Sequence, residues 1–189
     1  SNEYMDWKLH IPQIEGLNDK KLQERLNTMF ESKVTGFKAE IEKLAYEGFQ
    51  EAQKSGYYFN PYNATVVYDV RYTKNNILSL TMDLYEYTGG AHGLTVRQAY
   101  NINLCTGEFI GYKDIFKKGF DYKTYIVNEI IRQIEENPEN FFPEAKETVQ
   151  NFTDEQPFYI TENGIVVFYG LYELAPYVAG IQEFFISIQ

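Results

Sequence analysis

Between Leu22 and Ala52 the apolar residues recur at every third or fourth position: Leu22, Leu26, Met29, Phe30, Val34, Phe37, Ile41, Leu44, Ala45, Phe49 and Ala52. That spacing is one face of an α-helix. Asn18 or Asp19 can cap its start, and Ser55-Gly56 ends it. Run straight to Lys54, the helix is about 54 Å long, whereas a compact domain of this size is roughly 40 Å across. The helix is therefore expected to bend, overhang or break, with Gly36 and Gly48 as its weak points.

The segments around it alternate with period two. Met5, Trp7, Leu9 and Ile11 face away from Tyr4, Asp6, Lys8 and His10, which predicts a strand over 4–11 with His10 on its solvated side. Three more strands follow: Val66, Tyr68, Val70 and Tyr72; Leu78, Leu80, Met82 and Leu84; then Leu94, Val96, Tyr100, Ile102 and Leu104, with Gln98 breaking the apolar side. They read as an antiparallel meander with one buried face. All three put their apolar residues at even positions, so directly paired numbers should sum to an even total. Lys74-Asn75-Asn76 is then a three-residue loop with Asn76 left-handed. The second hairpin, centred near Gly90, pairs Tyr87 with Gly93 and sets Asp83 opposite Arg97 as an ion pair. Glu86 interrupts the apolar face, which a bulge, the end of the core, or a partly buried carboxylate would each explain.

Downstream, Gly111–Phe116 reads as a helical turn. A second helix starts at Asp121, with Tyr125, Ile126, Ile130, Ile131 and Ile134 on one face, and stops at Asn137-Pro138. A short helix is expected near Ala145–Val149. Phe158–Thr161 and Ile165–Tyr169 form a hairpin, and Phe184, Ile186 and Ile188 make a closing strand. The fold class is α+β: an antiparallel meander sheet packed on a long amphipathic helix, then a second, smaller helix-plus-antiparallel-strand unit. The expected domains are residues 1–105 and 106–189.

Two stretches stand out as recognition loops. In Tyr85-Glu86-Tyr87-Thr88-Gly89-Gly90-Ala91-His92-Gly93, glycine supplies the positive φ of a tight reversal. His92 there either bonds the loop backbone or packs on a tyrosine, or it joins Tyr85 and Tyr87 in a binding surface. The stretch Tyr172 to Gly180 carries Glu173, Pro176 and Tyr177; it is either a packed aromatic crossover or a preformed epitope.

The net charge of −10, from 17 basic and 27 acidic residues, argues against nucleic acid or an anionic lipid surface and favours a basic partner. The aromatic content of 17% includes 17 Tyr, whose hydroxyls favour half-wet surfaces. Cys105 is alone, so no internal disulfide forms. There is no apolar run of membrane-spanning length and no signal peptide. Ser1-Asn2, without an initiator Met, reads as a vector remnant, so the sequence is expected to be the soluble part of a longer protein.

No enzyme signature emerges. Two histidines and one cysteine do not supply a usual zinc set. A Gly-x-Ser-x-Gly elbow is missing. The glycine run is followed by neither the Lys-Ser/Thr nor the helix of a phosphate loop. The expectation is no catalytic residue, no metal and no cofactor.

The run Tyr87-Thr88-Gly89-Gly90-Ala91-His92-Gly93, then Thr106-Gly107-Glu108, then Tyr172-Glu173-Leu174-Ala175-Pro176-Tyr177 and Gly180, with Ile11-Pro12-Gln13-Ile14 upstream, resembles the extracytoplasmic part of RsiV-type anti-sigma factors. The first half is similar to the non-catalytic N-terminal domain of PdaC-type peptidoglycan deacetylases, and the second half to the domain that follows it in RsiV. The resemblance implies an extracytoplasmic, non-enzymatic sensor or binding domain of a Gram-positive bacterium, from an RsiV-like anti-sigma factor or a related lipoprotein, tethered to the membrane only through a segment absent here. The implied partner is lysozyme or another basic protein. A cell-wall polysaccharide module is the alternative. Tyr85, Tyr87, His92, Tyr172, Glu173, Pro176 and Tyr177 are the expected contact residues.

Overall fold

The computed structural model describes residues 1–188. The chain forms two compact units, interleaved in sequence: residues 1–69 with 82–97, and residues 70–81 with 98 onward. The strands of the meander contribute residues to both units.

The first unit holds β1 (Met5–Leu9), α1 (Lys20–Ser55) and parts of β2 (Tyr62–Lys74), β3 (Ile77–Tyr87) and β4 (Leu94–Asn103); the sheet order is β1-β2-β3-β4. Asp19 caps α1, its carboxylate accepting from the amides of Lys21 and Leu22. Gly56 ends it at φ 73°, donating to the Ala52 carbonyl. The helix does not break. Gly36 is exposed, and Gly48 passes so close to Phe59 and Tyr62 that a Cβ would lie 3.1 Å from each side chain. The first glycine costs only helix propensity, and the second is where the aromatic wall meets the helix.

The sheet is mixed. β1 ends at Leu9 and lies parallel to β2, Met5 opposite Tyr62 and Leu9 opposite Val66. Only the long connection through α1 permits that direction; the short loops between β2, β3 and β4 enforce antiparallel pairing. Met5, Ile41, Ala45 and Ala64 are buried together, with Trp7 packed against them. The Lys38 Nζ sits 4.4 Å above the centre of the Trp7 ring.

Three expectations about the meander need correction. Its first loop has two residues, not three: β2 runs to Lys74, and Asn75 (φ 54°) and Asn76 (φ 59°) are both left-handed, the signature of a type I′ turn. Tyr68, Val70, Leu94 and Val96 are exposed rather than core; alternation marks which residues share a face of a strand, not how far along the strand that face is covered. β3 is covered on both sides, with Ser79 and Thr81 as buried as its leucines. The Asp83–Arg97 pair does form, bidentate, with Nε–Oδ1 2.7 Å and Nη2–Oδ2 2.8 Å.

The second unit adds α2 (Tyr112–Ile115), α3 (Tyr122–Glu136), α4 (Ala145–Gln150), β5 (Phe158–Thr161), β6 (Gly164–Tyr169) and β7 (Gln182–Ser187) to residues 70–81 and 98–103 of the meander. β5, β6 and β7 form an antiparallel sheet. Ile126, Ile130 and Ile134 of α3 are buried with Ile165, Val167, Phe184 and Ile186 of that sheet. Gly164 is the first residue of β6, paired with Thr161 and Ser187. A Cβ there would collide with the Ile186 carbonyl oxygen.

A buried polar knot lies within this unit. Ser79 Oγ donates to Asn101 Oδ1 (2.7 Å), Asn101 Nδ2 donates to the Phe158 carbonyl (2.8 Å), and the Ile160 amide donates to Ser79 Oγ (2.9 Å). It satisfies two backbone groups at the otherwise unpaired edge of β5.

Candidate functional site: tyrosine-bearing loops

In the first unit the β3–β4 loop is held by what its glycines allow. Gly89 is left-handed (φ 86°) and lies against the Tyr62 ring, 3.5 Å from where a Cβ would be. Gly93 is buried; a Cβ there would strike the Tyr85 ring and come within 2.5 Å of the Glu86 carbonyl oxygen. Tyr85 is thus half-buried beneath the loop's last residue. Tyr87 is half-buried too, its hydroxyl accepting from Asn60 Nδ2 at 2.6 Å. His92 is exposed, and its Nδ1 lies 3.0 Å from the Gly93 carbonyl, so Nδ1–H donates to the loop backbone. Glu86 is half-buried at the penultimate position of β3.

Sequence reasoning missed the neighbours of this loop. Tyr57-Tyr58-Phe59-Asn60-Pro61-Tyr62 directly follows the cap of α1. Rings step across this surface from Tyr46 to Tyr4 (5.6 Å), Tyr4 to Phe49 (5.7 Å), Phe49 to Phe59 (5.6 Å) and Phe59 to Tyr62 (5.3 Å). Tyr46 and Tyr57 are exposed, and Tyr58 is 85% exposed. The signal was in the sequence: four aromatics in six residues, after a helix stop and around a proline.

In the second unit, Leu174 and Ala175 are buried and plug the loop into the core, and the Phe142 amide donates to the Leu174 carbonyl. On either side the chain turns outward. Tyr172 is left-handed (φ 66°) and half exposed; its ring lies 5.7 Å from that of Tyr177. Glu173 and Pro176 are exposed, and Val178 is 93% exposed. Gly180 closes the loop at φ 73°. Tyr169, just before the loop, is buried with a hydroxyl that has no hydrogen-bond partner among the described residues. Burial, and then the Glu173 charge, push its pKa up.

Among the described residues no group of three or more His, Cys, Asp or Glu is placed to hold a metal ion. His10 and Cys105 are exposed. No described helix is long and apolar enough to cross a membrane.

The geometry defines an α+β protein with exposed aromatic side chains, Tyr57, Tyr58 and Tyr172 among them, on its loops. The family model described as Deacetylase PdaC matches residues 1–95, and one described as Protein of unknown function (DUF3298) matches residues 113–189. Because the first spans half of the sequence, the chain belongs to the PdaC family. It is 28% identical over 117 residues to the peptidoglycan-N-acetylmuramic acid deacetylase PdaC of Bacillus subtilis, a match covering 60% of this chain and 25% of that protein. The chain thus corresponds to a quarter of that relative's length. A DUF3298-family structure from Bacteroides fragilis superposes with a TM-score of 0.65 at 25% identity, covering 90% of this chain and 76% of the other. A second, from Pseudomonas aeruginosa, gives a TM-score of 0.54 at 20% identity over 76% of this chain and 64% of its own; it shares the fold.

Proposed function

We propose that the chain is a non-enzymatic, extracytoplasmic recognition domain of the cell envelope, and that it binds a basic protein, lysozyme in the first instance, as an RsiV-type sensor does. The observation that carries this reading is the Tyr172–Tyr177 loop. A bulky residue is held left-handed, at a conformational cost, where its ring is presented to solvent and its neighbours are anchored in the core. Pre-ordered aromatic side chains lose little entropy on binding. A net charge of −10 speeds encounter with a cationic partner more than it holds one.

Calorimetry against a c-type lysozyme at low and physiological salt tests the proposal. The expected result is saturable heat at both, with affinity falling as salt rises. Alanine at Tyr172 and Tyr177 together should weaken binding at least tenfold. Folded protein that gives no heat at low salt overturns the reading.

The name of the Bacillus relative favours a second reading, a module that holds peptidoglycan glycan strands. Sedimentation with insoluble cell wall, in place of lysozyme binding, would support it.

A further inference from the structure

Within the second unit, two hollows of about 360 Å³ and 340 Å³ share Phe116, Lys117 and Phe120. Tyr125 and Ile188 complete the first; Lys118, Gly119 and Tyr122 help line the second. Their size is that of small-ligand sites. Phe120 is 47% exposed, and its ring stacks on Phe116 at 5.7 Å and meets the edge of Tyr125 at 5.6 Å. Tyr122 also stacks on Phe116, at 5.5 Å.

The charge here is opposite to that of the chain. Lys113, Lys117, Lys118 and Lys123 fall within eleven residues of a protein with net charge −10. The nearby carboxylates are already engaged. Asp154 takes the Tyr122 hydroxyl (2.9 Å), Lys123 (3.2 Å) and Lys113 (3.6 Å). Asp121 caps α3 through Thr124, and Asp114 accepts from the Gly111 amide. Lys117 lines both hollows and Lys118 the second, and neither has an ion pair among the described residues.

We propose that this groove binds an acidic saccharide, an apolar sugar face lying on Phe120 and a carboxylate between Lys117 and Lys118. The ligand class rests on the glycan reading above; the site rests on the residues. Two hollows sharing one exposed ring suit a flat molecule with a polar rim, not an acyl chain, which needs a continuous apolar tunnel. The lysines select for a negative charge that a neutral sugar lacks.

The test is a titration of the ¹⁵N-labelled chain with N-acetylmuramic acid, N-acetylglucosamine and octanoate. The expected result is saturable shifts over residues 116–122 with the acidic sugar, and binding at least tenfold weaker for the neutral one. The double variant Lys117→Ala/Lys118→Ala should bring the two sugars to equal affinity, and Phe120→Ala should weaken both. Equal binding of the two sugars by the unmodified chain, octanoate binding in their place, or no shift in these residues overturns the proposal. Retention of the lysine variant on insoluble cell wall as strongly as the parent would leave the glycan reading standing and remove this groove from it.

Discussion

Tyr169 is the residue at which the second unit is least economical. Its hydroxyl is buried and unbonded among the described residues, so Tyr169→Phe should raise stability by about 1 kcal/mol at neutral pH, read by urea unfolding. The same residue makes the fold sensitive to alkali. Burial raises the pKa values of Tyr169 and Tyr112 above the ordinary tyrosine value. A raised folded-state pKa gives a contribution that is whole below about pH 10 and is lost as pH rises beyond it. Stability should therefore fall above about pH 10, and Tyr169→Phe should lessen that fall. Tyr172 gives a second test. With the ring removed either way, Tyr172→Gly should be more stable than Tyr172→Ala by roughly 0.5–1 kcal/mol, since only glycine takes φ 66° without strain. At this scale the caps at Asp19, Gly56 and Asp121 were legible, because capping is local chemistry. The left-handed Tyr172 was not, because surrounding structure imposes a backbone state that tyrosine itself disfavours.

Among the elements, α1 carries its two glycines for different reasons. Gly36 faces open space, so Gly36→Ala should add about 0.8 kcal/mol to stability, measured by thermal unfolding. Gly48→Ala should give no such gain, because the new methyl would press on Phe59 and Tyr62. Period and spacing were enough to place α1, α3, α4 and the meander. The direction of β1 was not legible, since alternation is the same in parallel and antiparallel strands. Nor was the double burial of β3. Ser79 and Thr81 look like solvent-facing positions until the partners that satisfy Ser79, Asn101 and the Ile160 amide, are known. Of the candidate site, the glycine loop was legible from its composition. The ring surface formed by Tyr46, Phe59 and Tyr62 depends on a helix end meeting a strand start, which no single stretch encodes.

For the whole molecule, the interleaving of units decides where the chain can be divided. The second unit contains residues 70–81 and its β5 edge is satisfied by Ser79 and Asn101. Residues 106–189 expressed alone lack both groups and the strand segments that bear them, and should be unfolded by circular dichroism where the intact chain is folded. Asn101→Ala in the intact chain removes the donor to the Phe158 carbonyl and the acceptor for Ser79, and should cost about 2–4 kcal/mol. That bond pattern was beyond sequence reading, since it joins residues 57 positions apart.

Trp7 is the chain's one tryptophan, and it lies in the first unit beneath the Lys38 ammonium. Its fluorescence is therefore a private reporter: emission follows the melting of one unit and is blind to the other. Where the emission curve and the circular dichroism curve part on heating, the gap between them measures how far the two units let go separately.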